Sequence, residues 1–293
     1  MLYNYQSEVN MLNELSRKDA IDFLGIDPKH FDNYFKSSEE IKGYKKKNRW
    51  YFDKSQLIQW NTQKEERTVF LDKEEYEQCF EFAIKMAYGM KGSHGTGIRG
   101  VRSEMQTADD FILGIMAEVG IKKMIEEKFN SRVELDMEVH PDHITEQDFV
   151  GIYDNNILRK INFDVAVKSS KWKSCWNILP PIEYEDSNRR SDVYIFARVG
   201  IPSDHLFRVL RNHSFFNRVS NYLNSNKEAG FRTIEPLGPI PIWICGFNYH
   251  GDFHQVTEIP GQKFDGNPNY RYACSVSQMK NSDTDWKSLL ARF

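Results

Sequence analysis

Hydrophobic and polar positions along this chain follow two periods, and the switches between them mark out its elements. LDKEEYEQCFEFAIKMAYGM sets Tyr76, Phe80, Ala83, Ile84 and Ala87 on one side of a helix. The stretch from Phe111 to Ile121, FILGIMAEVGI, is apolar except for Glu118, and Phe111, Ile121, Ile125 and Phe129 share that residue's side. The strand period governs VELDMEVH (133–140), where Val133, Leu135, Met137 and Val139 oppose Glu134, Asp136 and Glu138. It governs INFDVAVKSSKW too: Ile161, Phe163, Val165 and Val167 face one way, Asn162, Asp164, Ala166 and Lys168 the other. SDVYIFARV reads as a buried strand and PLGPIPIWICGF as a turn with an apolar strand. From Ser203, SDHLFRVLRNHSFFNRVSNYL reads as one amphipathic helix, with Arg208, Arg211 and Arg218 near one face. The tail closes with a strand (RYACSVSQMK) and a helix (DTDWKSLLARF). This mixture of helical and strand periods predicts an α/β chain.

Glu118 inside an apolar stripe requires an explanation, because a buried carboxylate without a partner is neutralised or destabilising. The expected cation is Lys168, which ends a β-branched run and is followed by Ser169, Ser170 and Lys171. Upstream, Asp148 opens the short strand of QDFVGIYDNN, which turns at Asp154-Asn155-Asn156 and is expected to lead straight into the lysine strand. Taken singly, an Asp or Lys in a hairpin is ordinarily a solvated residue, and Glu118 has a plain explanation as the partner of Lys122. The three together, in this order and on these element types, point to a shared site.

Residues 1–65 read as a separate small domain, 70–293 as the main one, with the polar 62–70 as a hinge. Ser16 is a helix N-cap, Gly25 ends that helix, and Pro28 opens the next one. Lys42, Lys45, Lys46, Lys47 and Arg49 place five positive charges in eight residues of a hairpin, followed by an aromatic strand and a short helix from Asp53. Between the main helices, KGSHGTGIRGVRSEMQ is a glycine-rich loop carrying Arg99 and Arg102; it lacks the P-loop spacing and is read as closing on DNA.

GIMAEVGIKKMIEEKF, QDFVGIYD and VAVKSSKW together resemble the PD-(D/E)xK nuclease superfamily, and within it type II restriction endonucleases, over roughly residues 110–200. The resemblance implies a restriction-endonuclease-like fold, a mixed central sheet flanked by helices, and Mg²⁺-dependent cleavage of double-stranded DNA at a specific sequence. It assigns Glu118, Asp148 and Lys168 as catalytic, with Asp148, Glu118 and the main-chain carbonyl of Val167 as metal ligands. The position two before the lysine, usually acidic, is Ala166. Asp164 lies roughly 13 Å along the strand from Lys168, so Glu118 is expected to supply the missing carboxylate. Asp142, in a literal Pro-Asp, is the alternative to Asp148. Residues 14–61 resemble the excisionase-type winged helix-turn-helix, which implies DNA reading by Lys29, His30, Asn33 and Lys36 and phosphate contact by Lys45, Lys46, Lys47 and Arg49. Arg99, Arg102 and Lys171 join them as DNA contacts. The partners implied are duplex DNA, a second copy of the chain if the target is palindromic, and a DNA methyltransferase acting separately. A binder with a degenerate nuclease fold, or a structure-specific repair nuclease, are the rival readings.

Composition narrows little further. Hydrophobic residues at 40% and aromatics at 14% support a sizeable core and exclude a disordered chain. A net charge of −3 means that DNA binding must rely on local basic patches. Cys79, Cys175, Cys245 and Cys274 lack metal-ligand spacing and read as reduced cytoplasmic thiols, and neither a membrane span nor a leader sequence is expected. His140 with His143, and His250 with His254, have too few companions to argue for a metal centre.

Overall fold

Ser16 ends a short strand, β1 (Glu14–Ser16), and caps helix α1 (Arg17–Leu24) by accepting the Asp19 N–H. Gly25, at φ 60°, closes that helix. The structure, a computed structural model, describes residues 13–26, 28–33, 40–89, 104–137, 148–172 and 174–293. Helix α2 (Pro28–Asn33) is clamped to α1 by a two-bond Arg17–Asp32 pair at 2.9 and 3.0 Å. β2 (Gly43–Lys46) and β3 (Arg49–Asp53) form a hairpin, with Lys47 and Asn48 both at positive φ in the tip; β1 lies on the far side of β3.

Asp53 caps α3 (Lys54–Glu66), a longer helix than the sequence suggests, and β4 (Thr68–Leu71) follows at once. Residues 62–70 are therefore helix and strand where a polar hinge was expected. The charged positions are the outer face of a helix that buries Leu57 and Trp60, while Arg67 is buried against Asp283 and the Asn281 carbonyl.

Next come α4 (Lys73–Gly89), α5 (Glu104–Phe129), β5 (Val133–Leu135), β6 (Phe149–Asp154), β7 (Ile157–Lys160), β8 (Val165–Lys171), β9 (Trp176–Leu179), α6 (Pro181–Glu185) and β10 (Val193–Val199). The chain continues with α7 (His205–Leu210), α8 (Ser214–Ser225), β11 (Ile240–Tyr249), β12 (His254–Val256), β13 (Glu258–Ile259), β14 (Gln262–Lys263), β15 (Arg271–Ser275) and α9 (Asp283–Leu290). The expected single helix from Ser203 is thus two, α7 and α8, separated at Arg211–His213. The central sheet runs β4-β11-β10-β8, antiparallel except for the parallel pair β10 and β8. Every residue of β10 is buried, which is why its sequence does not alternate. Helix α5 covers one face, and its backbone comes so close at Gly120 that a Cβ there would lie 2.6 Å from the Ile242 side chain. Smaller sheets, β5-β6-β7 and β12-β15-β9, flank this one.

The turn at Asn155 and Asn156 forms as expected, with φ 47° and 65°, but it leads into the exposed strand β7 and not into the lysine strand. β8 starts afresh at Val165. Its start is pinned to β10, since the Asp192 and Val193 N–H groups both donate to the Asp164 carbonyl and the Asp164 N–H donates to the Asp192 carboxylate. Among the described residues, no helix is long and apolar enough to cross a membrane.

The N-terminal unit is joined to the sheet through a buried charge. Arg198 of β10 is fully buried, pairs with the Glu40 carboxylate and lies 4.3 Å over the Trp243 ring. Trp60 donates to the same carboxylate at 3.1 Å and meets Trp243 edge-on at 5.5 Å. Glu40→Ala, which leaves the Arg198 guanidinium buried without that carboxylate, is expected to lower the unfolding free energy by about 3–5 kcal/mol in urea titration. Replacing both, Glu40→Leu with Arg198→Met, is expected to restore most of it; a single variant as stable as the natural chain would refute the role of the pair.

Candidate active site

Among the described residues β8 is the edge strand of the central sheet, with no neighbouring strand on one of its sides. Asp148, at the head of β6, occupies that side: its carboxylate accepts the Val167 N–H. One residue on, the Lys168 ammonium lies 2.7 Å from the Glu183 carboxylate of α6. Glu118 reaches the same region from α5. Burial pushes its carboxyl well above the usual carboxylate range, and the neighbouring charges of Asp148 and Asp136 push it further, with Lys168 opposing them. The Asp148 carboxyl is raised as well, by burial first, against the Val167 N–H and Lys168. Burial acts to lower the Lys168 pKa, but Glu183 and Asp148 outweigh it and hold the ammonium above its ordinary value.

The structure therefore brings Glu118, Asp148 and Lys168 within electrostatic reach of one another, and adds two carboxylates that sequence reasoning missed. Asp136, on the polar side of the expected 133–140 strand and given no role there, follows β5 and bears on the site from the small sheet, its N–H directed at the Asp148 carbonyl at 3.5 Å. Glu183 had a visible signal: it lies in the first turn after Pro180-Pro181, a helix start that follows the lysine strand closely. Its neighbour Tyr184 is stacked between Tyr272 at 3.7 Å and His250 at 4.0 Å, and Glu185 accepts from Tyr270 and Tyr272, so the short helix is held firmly. Ala166 packs with Leu179, Tyr194, Phe253 and Cys274. A carboxylate at that position would sit in an apolar cluster, and Glu183 brings one to Lys168 from another element.

The remaining assignments separate. Lys122 lies 4.0 Å from Glu126 and not against Glu118. Lys45, Lys46, Lys47 and Arg49 are exposed along the hairpin, with Lys45 over the Trp50 ring and Lys46 3.5 Å from Glu14. Lys29 is exposed on α2, and Asn33 ends that helix. Lys171 sits at the other end of β8, paired with Asp109 at 3.2 Å. Lys36, Arg99, Arg102, Asp142, His140 and His143 lie outside the described residues. Comparison with protein-family models, curated proteins and solved structures finds no match to this chain, so the chemistry is argued from these side chains alone.

The implied Mg²⁺ fits the chemistry of the donors: Glu118 and Asp148 are carboxyl groups raised by burial first and by neighbouring acidic groups second, a condition that a hard divalent cation relieves. Among the described residues, no three His, Cys, Asp or Glu side chains close into a ready cage. Mg²⁺ rarely needs one, since it keeps several waters and takes one or two protein carboxylates. Because Glu118 and Asp148 hold protons more tightly in the folded chain than in the unfolded one, their contribution to stability falls as pH rises above the ordinary carboxylate range. Glu118→Gln is expected to raise the metal-free melting temperature at pH 8 and to flatten its decline between pH 5 and 8, with about 2–4 °C for each kcal/mol. Mn²⁺ or Mg²⁺ is expected to raise the melting temperature of the natural chain more at pH 8 than at pH 5. Scanning calorimetry that finds Glu118→Gln less stable at pH 8 would reverse this electrostatic assignment.

Proposed function

We propose that this chain is a Mg²⁺-dependent endonuclease that hydrolyses phosphodiester bonds in double-stranded DNA, of the PD-(D/E)xK, type II restriction-enzyme-like kind. The observation that carries the proposal is the Lys168 ammonium, held between Glu183 and Asp148 beside the raised Glu118 carboxyl. The main domain is read as restriction-endonuclease-like and the N-terminal unit as a winged helix-turn-helix with the Lys45–Arg49 hairpin as its wing.

Asp148, Glu118 and the Val167 carbonyl would hold the ion, which when bound supplies charge neutralisation and an acidified water. Lys168 stays protonated, so its work is to hydrogen-bond the attacking water and the phosphate and to stabilise the added negative charge. Glu183, on the same ammonium, takes the water's proton as the new P–O bond forms and the bond to the leaving deoxyribose oxygen breaks; that oxygen is protonated from solvent. A palindromic target would pair two copies of the chain, one on each strand.

Ala166 favours the rival reading, a DNA binder that has lost cleavage. Plasmid incubated with Mg²⁺ or Mn²⁺ decides between them, because discrete fragments require the nuclease and a gel shift alone requires the binder. Lys168→Ala and Glu183→Gln are each expected to lower the cleavage rate by about 10² or more while leaving DNA affinity within a few-fold. Lys168→Ala cutting at the natural rate would sink the assignment. Replacing Lys45, Lys46 and Lys47 with Ala is expected to weaken binding to all sequences alike, and to make the slope of log affinity against log salt shallower by about 2–3.

A further inference from the structure

At the far end of β8 lies a half-open cavity of about 680 Å³ that the proposed hydrolysis does not use. It lies beyond the carboxyl ends of the parallel strands β8 and β10, the place where open α/β sheets leave a crevice for ligands. Part of its lining is apolar, with Trp172, Pro202 and Pro241 among the residues that make it. Gly200 keeps this wall close: its N–H donates to the Pro241 carbonyl at 2.8 Å, and a Cβ there would lie 2.6 Å from the Pro241 ring.

The other side is polar and built inward from the core. Tyr76 is fully buried, and its hydroxyl meets His205 Nδ1. Burial raises the phenol's pKa, so the O–H is the donor, and burial lowers that of the imidazole, so the ring is neutral with its proton on Nε2. His205 Nε2 lies 3.3 Å from Asp109 Oδ1, while Lys171 pairs with Oδ2 at 3.2 Å. The Asp109 carboxylate thus stands at the cavity with lone pairs to spare, next to an ammonium that is mostly exposed. A ligand that satisfies this carboxylate and the apolar lining is planar and offers N–H donors on one edge. Guanine is the nucleobase that offers two adjacent donors, a ring N–H and an amino group, to an acceptor-only carboxylate.

We infer that this cavity binds the guanine base of a nucleotide, with the ring against Trp172, Pro202 and Pro241 and its donor edge on Asp109, Lys171 remaining paired with that carboxylate. Two sources offer the same chemistry: a free nucleotide, or a base displaced from a strand that passes Lys168, roughly 10 Å away along β8. The inference stands independently of hydrolysis at Lys168, since it concerns binding alone.

Titration calorimetry of the full chain with dGMP, dIMP, dAMP, dCMP and TMP, and with single-stranded hexanucleotides with and without guanine, tests it. The expected result is saturable binding with guanine preferred, and dIMP, which lacks the amino group, weaker by about tenfold. Binding of dGMP identifies a free nucleotide; binding only of the guanine-containing hexanucleotide identifies a base within a strand. Asp109→Asn is expected to abolish the preference for guanine over inosine, a change that loss of structure would not produce selectively. Ile201→Trp, which fills the cavity, is expected to remove binding while the circular dichroism melt remains cooperative. The absence of saturable binding by any of these ligands, or a guanine preference that survives both substitutions, would overturn the inference.

Discussion

The hydrogen bond from the Val167 N–H to the Asp148 carboxylate is the join on which the site depends. No ladder connects β6 to β8; the two belong to different sheets, and the segment between them passes through β7 and a non-strand stretch. An edge strand normally presents its backbone groups to water or to another chain. Here one of them is taken by a side chain whose own position is set by the small sheet, so the acidic residues from β5 and β6 are brought to bear on a strand they do not otherwise touch. Every other charge in the site can then be read as a response: Lys168 compensates Asp148, and Glu183 compensates Lys168 in turn.

A good part of this was legible in the chain. The apolar run around Glu118 identified a helix facing the sheet, because one charge in eleven residues leaves little choice of face. The alternation from Val165 onward showed Ala166 and Lys168 on the same side. Asn155-Asn156 announced a turn, since both residues tolerate positive φ. The pairing of strands was not legible. The turn was seen, but nothing local says that the strand after it is a short exposed edge or that β8 belongs with β10, which lies far along the chain. Strand pairing over such separations is decided by which faces can be buried together.

The missing acid shows the same limit from the chemical side. Reading along one strand, the position two before Lys168 is an alanine and the search for a carboxylate turns to Asp164 or Glu118. Asp164 is occupied in fixing the start of β8, and Glu118 is held off by burial and like charge. Glu183 comes from a helix of five residues that periodicity cannot detect, stabilised by an aromatic column assembled from three separated segments. Sequence distance concealed what spatial distance makes plain.

β10 carries Phe196, which pairs across the ladder with Lys168, and two residues later Arg198, which grips Glu40 of the N-terminal unit. A foreign head spliced on by recombination would have to arrive with a carboxylate at that same spot and an indole beside it, or strand a cation in the interior. The two units of this chain are thus interlocked, since exchanging either one removes the partner of a charge buried in the other.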